Sequence, residues 1–270
     1  MERPAWAPPG IDLSMPSVSR IYDYYLGGSH NFEVDREAAR KAMEFMPGLP
    51  KIMQANRAFM RRAVHHAVAE GVTQFLDIGS GIPTFGNVHE VAQQASPEAA
   101  VVYVDHDPVA VAHSSAVLEG TERTAALAAD LRKPRDILGS SEVASVLDLD
   151  RPVALLLVAV LHFVEDAYDP YAAVAELRDA LAPGSLVVLS HASYEGIPVP
   201  PEQAGRTVGV YKDIRNPLIM RSRDEIARFF EGYDMVEPGL VQMPHWRPDT
   251  APEEEDPYSF SGYAGVGRKR

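Results

Sequence analysis

The sequence predicts an α/β fold: a doubly wound, mostly parallel sheet with a helical cover ahead of it. Three observations carry this. From residue 72 onward, short apolar runs alternate with amphipathic segments of helical period, the pattern that builds parallel sheets with right-handed crossovers. The run 153–158 is apolar throughout, as a strand buried on both faces must be. Before residue 72 the periodicity is helical only. A chain of 270 residues, 46% hydrophobic and 23% charged, suffices for one large domain with a smaller attachment. The expected division is an arm and helical cover over 1–71 and a sheet domain over 72–270.

Taken in order, residues 1–16 carry Pro4, Pro8, Pro9 and Pro16 and read as an extended arm. A short helix follows within 17–32, with Ser17 or Ser19 to cap it and Gly27-Gly28 to stop it. Its Tyr22, Tyr24 and Tyr25 cannot all share one face, so at least one points to solvent or into a pocket. Tyr22 and Tyr25, three apart, can alternatively pack on each other. A second helix spans 35–45 and a third 50–70, stopped by Pro47-Gly48 and by Gly71. In the third, Ile52, Ala55, Phe59, Ala63 and Ala67 recur at helical steps, while Asn56, Arg57, Arg61 and Arg62 occupy the other faces.

Strands are expected at 74–78, 101–104, 124–128, 153–158 and 185–190. Helices at 87–94, 108–118, 136–146 and 172–181 connect them; Ser140-Ser141 allows the third of these to be two short ones. The stretch 196–216, punctuated by Pro and Gly, reads as a lid with a short helix, and 223–230 as the last clear helix. Runs 235–241 and 258–266 read as two strands joined by an acidic loop at 247–256, whose Glu253-Glu254-Glu255-Asp256 is a solvated face.

Composition narrows the function classes. The net charge of −13 disfavours a phosphate-tracking surface, since nucleic-acid binders concentrate Lys and Arg. The longest apolar run, 153–161, is too short to cross a bilayer. The N-terminus lacks the apolar core of a signal peptide, so a cytoplasmic location is expected. With no cysteine, disulfides, Cys-metal sites and thiolate nucleophiles are excluded, and no metal site is expected.

In doubly wound sheets, ligands bind beyond the carboxyl ends of the strands. The first strand there runs into Asp77-Ile78-Gly79-Ser80-Gly81-Ile82-Pro83-Thr84, with glycines where the backbone turns or a ligand approaches closely. Asp105 ends the second strand, 24 positions after Gly81, near the spacing at which such folds place an acid on ribose hydroxyls; alternatively it caps the turn at Asp107-Pro108. Asp130 ends the third strand, where it can accept from an exocyclic amine such as that of adenine. A pyrophosphate is a poor fit, because Asp77 precedes the glycines and Thr84 replaces the third glycine of G-x-G-x-x-G. A phosphate-free ligand with a cationic amino-acid end, as in S-adenosylmethionine, suits these acids better than NAD.

These residues resemble a known family. Asp77-Ile78-Gly79-Ser80-Gly81, Tyr103-Val104-Asp105, Ala129-Asp130-Leu131 and Ala159-Val160-Leu161-His162 are similar to the successive motifs of class I S-adenosylmethionine-dependent methyltransferases. More closely, the segment from Arg20 to Gly28, with Asn31-Phe32 and Asp35-Arg36, resembles a bacterial family of S-adenosyl methyltransferases formerly catalogued as a domain of unknown function. Leu189-Ser190-His191-Ala192 and 261–266 fit it too. The resemblance implies a seven-stranded sheet whose last strand is antiparallel. It implies that Gly79 and Gly81, with Asp77, cradle the methionine end of the cofactor. Asp105 would then hold the ribose, and Asp130 and Leu131 the adenine, with Ala159 beside them. Pro83 departs from the glycine that many class I enzymes carry there, and its fixed φ suits a first helical position instead.

Methyl transfer needs an aligned acceptor and, for a protonated one, a base. His162 and His191, after the fourth and fifth strands, are the candidate bases; each reads equally as a hydrogen-bonded structural histidine. Tyr22, Tyr25 and Asn31 are candidates for the acceptor pocket, and Asn56 and Arg57 for the cofactor carboxylate or simply solvent. Trp246-Arg247 either closes the pocket or packs. After the fourth strand there is no Asn/Asp-Pro-Pro-aromatic run to grip a base amine. With the acidic charge, this favours a small-molecule acceptor over nucleic acid. The alternatives are a non-catalytic S-adenosylmethionine-binding module and an NAD-dependent oxidoreductase.

Overall fold

Alternation along the strands sorts side chains onto two faces of one sheet. Phe75, Val101, Tyr103, Leu156, Val188 and Val266 pack on one side with Phe59, Ala63 and Ala67 of the long third helix. Leu76, Val102, Val104, Leu155, Leu157 and Leu189 pack on the other with Ile137, Leu177, Ile226 and Phe229. The structure, a computed structural model, describes residues 11–12, 14–84, 86–197, 199–212, 217–249 and 261–270. The arm before residue 11 and the acidic run 253–256 lie outside the described residues.

Strands β1 (Gln74–Ile78), β2 (Ala100–Asp105), β3 (Thr124–Ala128), β4 (Ala154–Val158) and β5 (Leu186–His191) are parallel. Strands β6 (Tyr233–Met235), β7 (Val241–Gln242) and β8 (Tyr263–Lys269) complete the sheet. The order is β3-β2-β1-β4-β5-β8-β6, with β8 antiparallel to β5 and β7 paired to β8 as an eighth strand. The direction of winding reverses between β1 and β4, so their carboxyl ends flank a crevice.

The helices are α1 (Val18–Tyr25), α2 (Glu33–Phe45), α3 (Leu49–Ala69), α4 (Val88–Ala95) and α5 (Pro108–Val117), then α6 (Pro134–Leu138), α7 (Ser141–Val146), α8 (Pro170–Asp179), α9 (Pro201–Lys212) and α10 (Arg223–Ala227). The expected helix over 136–146 is therefore two, α6 and α7. The helix within 196–216 is not short but 12 residues long. Among the described residues, no helix is long and apolar enough to cross a membrane.

Three expectations change. Run 235–241 is not one strand: Pro238 has no N–H for the ladder, and the Gly239 N–H bonds the Val236 carbonyl at 2.8 Å, closing a turn between β6 and β7. Pro83 does not open a helix; α4 begins only at Val88, where the Glu90 carboxylate accepts the Asn87 backbone N–H at 2.9 Å. The last strand runs from Tyr263 to Lys269, further than expected, while positions 258–260 of the expected run lie outside the described residues.

Helices α1, α2 and α9 share their own apolar cluster of Ile21, Tyr25, Ala39, Ala42, Met46, Val210 and Tyr211. Polar groups fasten this cover to the sheet. Arg20 is buried with Nε 2.8 Å from Asp35 and Nη1 3.7 Å from Asp107, and it donates to the Met15 carbonyl at 2.6 Å. Asp35 also accepts the Ser17 and Phe32 backbone N–H groups at 2.9 and 2.8 Å, the latter capping the start of α2. Asp107 caps α5 by accepting the Val109 N–H at 2.8 Å, and the Ser17 hydroxyl donates to it as well.

Removing one partner of a buried ion pair leaves the other charge uncompensated. Arg20→Ala is therefore expected to cost about 3–5 kcal/mol of stability by denaturant unfolding. A loss below about 1 kcal/mol, the range of a surface pair, would show that Arg20 does not fasten the cover.

Candidate active site

The glycine loop leaves β1 with two left-handed residues, Gly79 at φ 75° and Gly81 at φ 67°. Gly79 must lack a side chain, since its Cβ would lie 2.3 Å from Val160 Cγ2. A Cβ on Gly81 would meet nothing within 4 Å, so that glycine is required by its backbone angle alone. Asp105 pins the turn: Oδ2 accepts the Gly81 N–H at 2.7 Å and Oδ1 the Asp107 N–H at 2.8 Å. Each oxygen keeps a lone pair for another donor. Burial raises the Asp105 carboxyl above its usual range, with these backbone N–H groups and His106 opposing.

Asp77 shares a sheet face with Phe75, the side on which α3 lies. It is buried, and among the described residues no group donates a hydrogen bond to its carboxylate. Burial pushes it up to about 7, against the opposing charge of Arg57 and with the help of Asp105. Arg57 reaches the Gly86 carbonyl at 3.2 Å. Asp130 at the end of β3 takes a double hydrogen bond from Arg132, at 2.9 and 2.5 Å, and the Arg132 backbone N–H at 2.9 Å. Burial would raise the Asp130 carboxyl, but the Arg132 hydrogen bonds outweigh it and lower it.

Asp77, Gly79, Gly81, Asp105, Asp130, Leu131 and Ala159 all line one cleft of about 970 Å³, mouth included, whose outer wall is Val18, Ser19 and Tyr22 of α1. A second cavity, about 730 Å³, adjoins it and shares Val18, Tyr22, Asn56, Ala159 and Phe163. The shared wall is a hydrogen-bonded chain. The Ala159 N–H donates to Ser190 Oγ at 3.0 Å, whose hydroxyl donates to Asn56 Oδ1 at 2.5 Å. The Asn56 amide donates to the Tyr22 hydroxyl at 3.0 Å. Ala159 itself is left-handed, at φ 57°, an uncommon conformation for a residue with a Cβ.

His162, His191 and Tyr25 line the second cavity. The Ala192 N–H donates to Nδ1 of His162 at 3.2 Å, so the neutral ring carries its proton on Nε2. His191 has both nitrogens engaged: Nδ1 donates to the Ala192 carbonyl at 2.7 Å, and Nε2 accepts from Arg221 at 2.9 Å. Burial, with Arg221 nearby, lowers both; His191 falls to about 3 and His162 goes well below its ordinary value. The Tyr25 and Tyr211 hydroxyls bond each other at 3.0 Å, and burial pushes Tyr211 up to about 12.

Asn31 is not brought to either cavity. Its amide donates to Asp23 at 2.8 Å and to the Gly28 carbonyl at 3.0 Å, bracing the turn after α1. Gly28 must be glycine there, because a Cβ would lie 2.0 Å from Asp23 Oδ1. Trp246 is fully buried, edge-on to Phe59 at 5.4 Å, and lines neither cavity. Sequence reasoning missed Arg132, Ser190, Tyr211 and Arg221. Ser190 could have been found from its position at the end of the fifth strand, but the others carry no spacing signal.

A family model described as S-adenosyl methyltransferase matches residues 4–270. The chain belongs to this S-adenosyl methyltransferase family. A DUF574-family protein from Streptomyces avermitilis is 40% identical, with a TM-score of 0.91 over 96% of this chain and 99% of that one. A protein from Thermobifida fusca, described as a candidate methyltransferase, is 39% identical, with a TM-score of 0.91 over 99% and 100% of the two chains. No curated protein matches the sequence. The chain is a methyltransferase, and S-adenosylmethionine is its cofactor.

The cleft fits that cofactor. Asp77 is a buried acceptor that receives no hydrogen bond among the described residues, as a site for an ammonium group requires. The backbone at Gly81 faces open space. The lining cations are Arg57 and Arg132, and the second is already paired with Asp130.

The native state holds the Asp77 proton more tightly than the unfolded chain, because its value is raised from 3.8 to about 7. The stability this confers is complete below the unfolded value and is lost as pH rises to about 7. Cofactor-free Asp77→Asn should therefore melt above the wild type at about pH 8, with an advantage that shrinks as pH falls towards about 4. An advantage independent of pH would identify some other cause.

Proposed function

We propose that this methyltransferase acts on a small-molecule acceptor held in the second cavity, with the cofactor in the cleft beside it. The observation that carries the reading is the wall shared by the two cavities at Val18, Tyr22, Asn56, Ala159 and Phe163. Bound in the cleft, S-adenosylmethionine supplies a methyl group activated by its sulfonium. In this reading Asp77 pairs with the ammonium, and Gly79 and Gly81 let the backbone approach the methionine end. Arg57 serves the carboxylate. Asp105 takes the ribose hydroxyls on its remaining lone pairs, while Leu131, with Asp130 held by Arg132, borders the adenine.

We infer that neither histidine is a general base. His162 has its proton on Nε2 and its Nδ1 occupied, while His191 has no free lone pair. His162 is therefore a donor toward the acceptor, and Tyr22 and Tyr25 shape its pocket. The acceptor atom reaches the site already nucleophilic, and the protein contributes alignment and exclusion of water. The cover of 11–71 contributes one wall of both cavities and, in this reading, acts as part of the site rather than as a separate domain. The acidic charge of −13 favours a small acceptor over nucleic acid.

The test is calorimetry followed by turnover. S-adenosylhomocysteine should bind and NAD should not. Because Asp77 must be ionised to hold an ammonium, affinity should rise with pH, by roughly tenfold per unit below about 7, and become flat in Asp77→Asn. Asp105→Ala should weaken binding at least about tenfold, equivalent to 1.4 kcal/mol. Labelled methyl transfer into a metabolite extract then identifies the acceptor. Methylation confined to the macromolecular fraction would overturn the small-molecule reading.

A further inference from the structure

Among the described residues, no Asp, Glu, Lys or Arg lines the second cavity. Its two histidines are neutral by their hydrogen bonding, as derived above. Around them stand Ile21, Ile52 and Leu218, and four methionines, Met46, Met53, Met220 and Met243. Methionine is unbranched and polarizable, and it shapes itself to varied apolar partners.

The polar side-chain atoms that remain are one ring N–H and several hydroxyls, among them Ser193 and Ser261, which can donate or accept; Ser261 Oγ has no partner among the described residues. His162 has Nε2–H, which finds no partner among the described residues. The Tyr25–Tyr211 pair uses one hydroxyl proton internally and keeps the other. Tyr22 is spent, accepting from Asn56 and reaching the Met53 carbonyl at 3.4 Å. Buried acceptors are costly unless hydrogen-bonded, and buried charges more so unless paired. Among the described residues, an ionic acceptor finds no counter-charge on this wall.

We propose that the methyl acceptor is an uncharged, predominantly apolar molecule that carries a hydrogen-bond-accepting oxygen and an unprotonated nucleophilic atom such as a neutral ring nitrogen, so that the methyl group is accepted without loss of a proton and the positive charge of the sulfonium passes to that nitrogen. The inference rests on the methyltransferase reading of the adjoining cleft, and it excludes phosphorylated, nucleotide and free amino-acid acceptors. One such oxygen meets His162 Nε2–H.

The probe is Prodan (6-propionyl-2-dimethylaminonaphthalene), an uncharged ketone whose emission moves to the blue in apolar surroundings. It is titrated into the full chain with and without saturating S-adenosylhomocysteine. Saturable, blue-shifted binding is expected, displaced by 2-acetylnaphthalene and at least about tenfold less well by 2-naphthyl phosphate, which has the same rings with a charge. Met53→Glu, in the wall outside the cofactor cleft, should weaken Prodan by at least about tenfold and leave S-adenosylhomocysteine affinity unchanged by calorimetry. Met220→Asp, on another segment of the wall, repeats the test should the first variant lose its fold. Equal competition by the phosphate, or Prodan binding untouched by both substitutions, overturns the proposal. Failure of the wild type to bind S-adenosylhomocysteine would instead overturn the reading of the cleft, with the Prodan arm standing by itself.

Discussion

A continuous run of carboxylates and one guanidinium holds the site together. The glycine loop donates to Asp105, Asp105 accepts from the Asp107 backbone, and Asp107 meets Ser17 and Arg20. Arg20 passes the connection to Asp35, which caps α2. The run begins at the turn that must approach a ligand and ends in the first helices of the chain. A cover attached by apolar contact alone could slide, because apolar contact is non-directional. Hydrogen bonds to buried charges fix direction as well as distance, and breaking one is expensive. The geometry of the cleft therefore depends on Arg20, which touches no part of it.

On the proposed reading of the cleft, the same electrostatics select the ligand. A cleft floored by Asp77 and Asp105 repels phosphate; among the described residues its lining arginines are Arg57 and Arg132, and Arg132 is committed to Asp130. Burial holds Asp77 near neutrality in its titration, poised between a protonated group that tolerates an empty cleft and a carboxylate that pairs with an ammonium. A fully ionised Asp77 without a partner would be a standing cost to the fold. Desolvation therefore eases the cofactor-free state and also sharpens the preference for a cationic ligand end.

Much of this was legible in the sequence because strand ends in a doubly wound sheet are functional by topology. Asp77, Asp105, Asp130 and Ala159 follow apolar runs, and the fold brings the ends of such runs together. Long-range side-chain pairs were not legible. Arg221 meets His191 across 30 positions and Tyr25 meets Tyr211 across 186, separations at which local period carries no information. Asn31 misled for a related reason. A polar residue in a distinctive motif suggests ligand contact, yet this one braces a glycine turn with Asp23. Pro238 and Pro83 misled in opposite directions, one interrupting a strand pattern and the other lying in a loop instead of opening a helix.

The chain from Ala159 through Ser190 and Asn56 to Tyr22 bears on how transfer can occur at all. In-line displacement requires the acceptor atom and the methyl group to meet across a boundary with no intervening water. Here that boundary is built from the left-handed Ala159 at the end of β4, a hydroxyl from β5, an amide from α3 and a phenol from α1. Four separate elements thus converge on one hydrogen-bonded line, in which each group is bonded to the next. Such a satisfied network is rigid in a low-dielectric interior, so it can fix the passage between the cavities without taking part in proton transfer. On the proposed reading, catalysis rests on the alignment of two pockets, and the two buried histidines serve the walls of the second cavity.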